Sequence, residues 1–256
     1  MRLFRRLPAC GPIRFLLTIF SMRTSRVAGL LFLATAALAQ QQQPVEITSE
    51  PSHHLVLQNE YVRVFDVTVA PQASTLVHRH NPDYLFVTLG DSDVVSARVG
   101  EKPAELQLKD GEVRYTPGHF AHAAINKSDL PFHNITIELL KPSTKVANCT
   151  ELCTKLQCSN GQKSSCSSVV DSISSDQWLA SLVTLHPSSQ MKRNMHGNPH
   201  LLIAVSDLDL TNQAESASNS IQRAPGGLLW IPAGNTYTLT NNSQKSAKFV
   251  TLEFKL

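Results

Sequence analysis

The stretch that decides the fold is Gly111-Glu-Val-Arg-Tyr-Thr-Pro-Gly-His-Phe-Ala-His-Ala-Ala-Ile-Asn126. A glycine turn opens it, a short β-prone run follows, and Pro117-Gly118 turns the chain into a second run that carries His122 and ends at Asn126. About forty residues upstream stand His78 and His80, with Asp83 just beyond. Side chains at i and i+2 of a strand share a face, so His78 and His80 can aim two imidazoles at one point. His122 from a partner strand and the Asp83 carboxylate would complete a mixed nitrogen and oxygen ligand set. Such a set suits Zn, Mn, Fe or Ni.

The same frame recurs further along the chain. At an offset of 116, Val69-Ala-Pro71 meets Leu185-His-Pro187, His80 meets His196, and Asp91-Ser-Asp93 meets Asp207-Leu-Asp209. One deletion later, at an offset of 115, Gly111 meets Gly226, Pro117 meets Pro232, Asn126 meets Asn241, and Thr136-Ile-Glu138 meets Thr251-Leu-Glu253. Ordered matches at constant spacing identify an internal duplication, with unit 1 over 55–140 and unit 2 over 171–256. Each unit reads as short strands broken by turn dipeptides, which predicts an all-β sandwich or barrel. Between them, 141–170 is polar and Ser-rich; it reads as a Cys-rich linker with a helical turn around Thr150 to Leu156.

The first 39 residues are set apart as a leader. Arg23 and Arg26 precede the apolar run from Val27, which ends in Ala37-Leu38-Ala39; that order is a signal peptide with its cleavage site. Met22 offers an alternative start. The leader holds six of the 23 basic residues and none of the 20 acidic ones, so the remainder carries 17 basic residues and a net charge of −3. The basic balance of the whole chain therefore belongs to the leader, and no basic stripe points to nucleic acid. No membrane association is expected once the leader is removed. Cys149, Cys153, Cys158 and Cys166 cluster in the linker, as expected of two disulfides in an exported (periplasmic or secreted) protein. The Gln-rich start of the mature chain, 40–54, reads as a disordered tail.

On these residues the chain resembles the cupins, and with two units it resembles a bicupin. Its second motif matches at Gly111, Pro117, His122 and Asn126 and departs at His119, where the family has glycine. Its first motif offers His78-Arg-His80 and Gly90, lacks the opening glycine, and has Asp83 in place of glutamate, two residues early relative to His80. The resemblance implies two tandem jelly-roll β-barrels. It implies a divalent transition metal in the first, held by His78, His80, His122 and Asp83. Asp83 can instead hydrogen-bond a ligating histidine, and Tyr84 can take its place if the register slips by one.

Unit 2 keeps the frame and loses the site: Asn194 stands for His78, Pro199 for Asp83 and Tyr237 for His122, and only His196 survives. No metal is expected there. The unit reads instead as a structural partner whose sheet covers an edge of the first. His119 is expected at a turn, and His53, His54 and His133 in solvated or packing roles. Arg63 and Arg114 are assigned to the outer face; either one inside a pocket with the metal would select an anionic substrate.

Two function classes follow. One is a metal-dependent enzyme of the oxygenase, isomerase or decarboxylase kind acting on a small molecule. The other is a barrel that holds a metal or small ligand without turnover. No residue stands out as a general base. Exposed sheet edges make a homodimer one expectation.

Overall fold

The computed structural model describes residues 43–148, 154–158, 166–193, 197–214, 218–234 and 237–255. The first barrel comprises β1 (Val45–Glu46), a 3-10 turn (Ile47–Ser49), β2 (His53–Gln58), β3 (Val62–Val69), β4 (His78–His80), β5 (Tyr84–Leu89), β6 (Ser92–Arg98), β7 (Ala104–Leu108), β8 (Val113–Thr116), β9 (Phe120–Asn126) and β10 (Phe132–Leu139). These form two five-stranded sheets, ordered β1-β4-β9-β6-β7 and β2-β3-β10-β5-β8. The second half runs through β11 (Val146–Asn148), β12 (Thr154–Cys158), β13 (Cys166–Ser175), β14 (Trp178–Leu185), β15 (Gln190–Arg193), β16 (His200–Ala204), β17 (Leu208–Ala214), β18 (Ser218–Arg223), β19 (Leu228–Ile231), β20 (Tyr237–Asn241) and β21 (Ala247–Phe254). Its sheets are ordered β11-β13-β14-β21-β16-β19, with β12 beside β13, and β15-β20-β17-β18.

The two halves repeat strand for strand. β2-β3-β10-β5-β8 becomes β13-β14-β21-β16-β19, and β4-β9-β6-β7 becomes β15-β20-β17-β18. Even an irregularity is copied: the β2/β3 register shifts between Leu55 and Leu57, and the β13/β14 register between Asp171 and Ile173. A bulge inserts one residue and flips the strand's facing beyond it. Hence His53 and its counterpart Val169 point into their barrels, while Leu57 and Ile173 point out between them. The chain therefore forms two tandem jelly-roll barrels.

Period-2 facing explains the layers. In β3, Val62 and Val64 face outward and Phe65, Val67 and Val69 inward; in β10, Ile135, Ile137 and Leu139 face outward. Those outward residues join Trp178, Ala180, Leu201, Ile203, Val250, Leu252 and Phe254 of the second barrel in one core cluster. The barrels thus meet sheet face to sheet face, not with one covering the other's edge. Both faces of the joined sheets are buried, which is why their strands read as nearly unbroken apolar runs. Tyr61 packs on Trp230 and Phe254, with ring centroids 5.5 and 5.1 Å apart, and Lys248 Nζ donates to the Asp110 carboxylate at 2.8 Å.

Two segments depart from expectation. The polar stretch 40–54 does not read as structured, yet from Gln43 onward it is: Val45 and Glu46 pair in parallel with His78 and Arg79, and Ile47 is buried in the first barrel. Two apolar residues outweigh the polar composition around them. Within 141–170, residues 154–156 of the expected helical turn belong to β12, residues 150–153 lie outside the described residues, and β11 and β13 are strands of the second half's first sheet. Cys158 and Cys166 lie opposite each other in that register. Cys149 and Cys153 lie outside the described residues.

The asparagine that ends each duplicated motif is a staple. Asn126 donates through Nδ2 to the carbonyls of Val69, Ala70 and Leu130, and its Oδ1 accepts from Ser128 N–H. Asn241 repeats the pattern with Leu185, Lys245 and Ser243. Both are fully buried. Asn126→Ala strands several buried carbonyls, so a loss of about 2–4 kcal/mol is expected. Urea unfolding of Asn126→Ala and Asn241→Ala would measure it, and unchanged midpoints would contradict the staple role.

Candidate metal centre

β4 lies between β1 and β9, and its register sets His78 directly opposite His122. His78 and His80 therefore project into the barrel from one strand and His122 from the next. The Nε2 atoms converge: 3.1 Å separates His78 from His80, and 3.2 Å separates His122 from His80. All three side chains are buried. The outer nitrogens fix the rings. His78 Nδ1 lies 2.9 Å from the Leu76 carbonyl, which can only accept, so Nδ1 carries the proton and Nε2 offers a lone pair. His122 Nδ1 sits 3.0 Å from the Ser96 hydroxyl. The His80 ring is stacked on Tyr84, centroids 4.1 Å apart.

At these distances facing nitrogens are held either by a proton that one imidazole donates to another or by a cation that takes their lone pairs. Protons are disfavoured here. Burial, then the neighbouring His53, pushes His78 down to about 4, against the opposing pull of the Leu76 carbonyl and Glu50. Burial, then His78, His53 and Arg98, pushes His122 down to about 3. His80 is depressed further by burial and by its histidine neighbours. A metal bound at about 2.0–2.1 Å by adjacent imidazoles holds their nitrogens about 2.9–3.4 Å apart. The separations of His80 from His78 and from His122 fit that arrangement.

The expected carboxylate is elsewhere. Asp83 Oδ2 accepts from the Tyr115 hydroxyl at 2.5 Å and Oδ1 from Gly118 N–H at 2.8 Å, so both oxygens hold the turn between β8 and β9. One methylene shorter than glutamate and two residues early, it braces the loop rather than joining the cluster. Nor does Tyr84 substitute for it: its ring stacks on His80, its hydroxyl bonds Thr116, and burial pushes the phenol up to about 12. His119 is a turn residue as expected, exposed at φ 62°, a left-handed conformation for which Gly234 stands in the second barrel.

A residue that sequence reasoning passed over has moved in. His53 on β2 is buried, its ring centroid lies 4.6 Å from that of His78, and donor atoms of His53, His78 and His80 all fall within 4.8 Å of one another. Its Nδ1 meets Glu50 Oε2 at 2.6 Å. Burial alone would raise the Glu50 carboxyl, but hydrogen bonds from His53 and from the N–H groups of Leu76 and Ser52 outweigh it and hold the acid ionised. Neither residue belongs to a motif, and both lie before the repeat as it reads in the sequence. The only cue was the Glu50-x-x-His53 spacing in an otherwise polar segment.

The cluster lies at a cavity of about 380 Å³ in the first barrel, a volume within the range of small-ligand sites. Phe86, Leu106 and Phe132 give it apolar wall; Ser96, Thr116 and Asn134 give it hydrogen-bonding groups. Arg98 and Arg114 line it too. Arg114 was expected on the outer face, but β8 pairs with the inward-facing side of β5 at Phe86 and carries Arg114 inward with it. Arg63 also turns inward, where it forms an ion pair at 2.6 Å with the fully buried Glu138.

Among solved structures, AerE from Microcystis aeruginosa aligns with a TM-score of 0.56 at 10% identity, over 81% of this chain and 99% of that one. An oxalate decarboxylase from Bacillus subtilis, a protein with Mn(II) centres, aligns at 0.52 and 10% identity over 76% of this chain and 69% of its own. A salicylate 1,2-dioxygenase variant from Pseudoaminobacter salicylatoxidans aligns at 0.52 and 8% identity, over 76% and 70%. The fold is that of a bicupin. No family model and no curated protein matches the sequence.

The second barrel is filled. Val183, Leu185, Met191, Leu202, Leu210, Leu239 and Phe249 occupy its interior. Leu202 stands where Phe86 lines the cavity, Val169 where His53 stands, and Ala214 where Arg98 stands. Asn194 and His196 lie outside the described residues, as does the Tyr237 side chain.

The depressed histidines link stability to pH. Histidines of the unfolded chain titrate near 6.5, so in the metal-free protein the unfolded state binds more protons between that pH and the folded values of about 4 and 3. Stability then falls as pH drops through this window, by about 1.4 kcal/mol per unit for each histidine titrating in it. Urea midpoints of chelator-treated protein at pH 7.5, 6 and 5 should decline, and less steeply in His78→Gln. A flat series would refute the burial argument.

Proposed function

We propose that this bicupin is a metal-dependent enzyme that acts on a small anionic molecule in its first barrel. The observation that carries this reading is the convergence of three buried Nε2 atoms at a cavity lined by Arg98 and Arg114. His78, His80 and His122 would hold the metal; imidazole donors suit Fe, Zn and Ni, and Mn is the metal named for a structurally similar protein. Once bound, such an ion supplies a Lewis acid, or redox capacity where it is iron or manganese.

The chain's own groups set what can bind beside it. Arg98 lies over the Phe120 ring, 4.0 Å from its centroid, which keeps the guanidinium in place. Arg114 is held at Nε by Glu112 at 2.7 Å. Planar guanidinium groups fixed in this way suit a carboxylate. Phe86 and Phe132 exclude water from the space between. The oxalate and salicylate named for the two structurally similar enzymes are both carboxylates, which supports an anionic ligand here.

One observation favours the second reading, a holder without turnover. Among the described residues lining the cavity, the one carboxylate is Glu101, which is exposed and lies 3.8 Å from Arg98. Export, with Cys158 opposite Cys166 in register, is part of the same proposal; thiol counting before and after reduction tests the disulfides.

Metal analysis of protein from Gln40 onward should find about one transition-metal equivalent, lost in His78→Ala and His122→Ala. A panel of small carboxylates read by thermal shift should find a ligand. Arg98→Ala should weaken that ligand about 10–100-fold, the worth of a charge-assisted pair. Multiple-turnover assays of the bound ligand then separate enzyme from holder. Protein that takes up no metal on reconstitution under reducing conditions would sink the reading.

A further inference from the structure

We propose that His53, oriented by Glu50, is a fourth imidazole ligand of the metal, in the role that Asp83 was expected to fill. The proposal rests on the metal reading of His78, His80 and His122 and extends it to a segment outside both motifs.

The geometry assigns each nitrogen a task. Glu50 Oε2 lies 2.6 Å from His53 Nδ1, and an ionised carboxylate can only accept, so the proton sits on Nδ1. Nε2 is then a lone pair in a ring whose centroid is 4.6 Å from His78 and 6.3 Å from His80. A carboxylate behind the distal N–H is the usual means of fixing a ligating histidine and raising its basicity. Glu50 does more than hold one ring. Its Oε1 accepts from Leu76 N–H at 3.1 Å, and the carbonyl of the same Leu76 accepts from His78 Nδ1 at 2.9 Å. One buried carboxylate thus orients His53 directly and His78 through a single peptide unit.

That carboxylate is 2% exposed, and burying a charge is costly unless it is fully engaged. A purely structural role explains the cost poorly, because the second barrel does without it: Val169 takes the His53 position and packs in an apolar core. The segment is anchored for the purpose. Parallel pairing of Val45 and Glu46 with β4, and burial of Ile47, bring Glu50 and His53 beside the strand that carries His78 and His80.

Four neutral imidazoles make a nitrogen-rich site. Imidazole suits Zn, Cu, Fe and Ni, whereas carboxylate-containing sets suit Mn. Four neutral donors would leave the charge of a divalent ion uncompensated, which would favour an anionic ligand in the cavity that Arg98 lines.

The test uses the protein from Gln40 onward, loaded with Zn²⁺, with X-ray absorption to count coordinated imidazoles and chelator competition for affinity. Wild type should show four imidazoles. His53→Ala should show three and bind about 10–100-fold more weakly, and Glu50→Gln should keep four with about tenfold weaker binding. Asp83→Asn should leave both readouts unchanged. His53→Asn, whose amide can keep the bond to Glu50, serves if the alanine variant does not fold. Three imidazoles in wild type, or unchanged affinity in the His53 variants, would overturn the proposal while leaving the three-histidine centre standing. Failure of wild type to bind Zn²⁺ at all would overturn both.

Discussion

The structure depends on one constraint: the sheet β2-β3-β10-β5-β8 is buried on both faces. Its outer face is covered by the matching sheet of the second barrel, through Val62, Val64, Ile135 and Ile137 against Ala180, Leu201, Ile203 and Leu252. Because that apolar contact secures the sheet from outside, its inner face need not be an unbroken apolar core. There the first barrel can carry Phe65 and Val67 beside Asn134, Thr136 and a 380 Å³ cavity. A cavity and a cluster of desolvated histidines both subtract from stability. The side chains of the inter-barrel layer, each contributing about 1.5–3 kcal/mol on burial, offset that loss.

The barrels also show which parts of a duplicated sequence carry architecture and which carry chemistry. The staple asparagines Asn126 and Asn241, the turn glycines Gly111 and Gly226, and the β2 and β13 bulges occur in both halves. They are backbone devices and owe nothing to a ligand. The inward positions diverge: His53, Phe86, Ser96 and Arg98 face Val169, Leu202, Asn212 and Ala214. His119 shows the two kinds of constraint meeting. The turn before β9 demands a left-handed residue, the second barrel supplies Gly234, and the first accepts the strain of a histidine at φ 62°.

Legibility in the sequence followed locality. The all-β class, the duplication and the His78, His80 and His122 cluster rest on short-range spacing, turn dipeptides and an offset that can be counted. His53 could not be found that way, since it reaches the site through pairing of β1 with β4, a long-range contact with no motif. Arg114 was misplaced for a related reason: which face of a short strand points inward is set by register, and Val113-Arg-Tyr-Thr116 alternates too weakly to announce it. Asp83 was misread because the family pattern specifies a residue type at a distance, whereas the loop offered its oxygens nearer partners in Tyr115 and Gly118.

Asp83 and Glu50 put a carboxylate to different uses: Asp83 braces a turn, and Glu50 stands behind a histidine. A carboxylate bound directly to a metal neutralises part of its charge. A carboxylate placed behind a histidine neutralises less and instead sharpens the ring's aim and donor strength. By holding Leu76 N–H as well as His53, Glu50 couples the N-terminal segment to the backbone that orients His78. The segment is therefore not an appendage to the first barrel. Lifting β1 away from β4 would free His53, release the Leu76 peptide and loosen His78 together, so the order of residues 43–53 and the integrity of the histidine cluster should stand or fall as one.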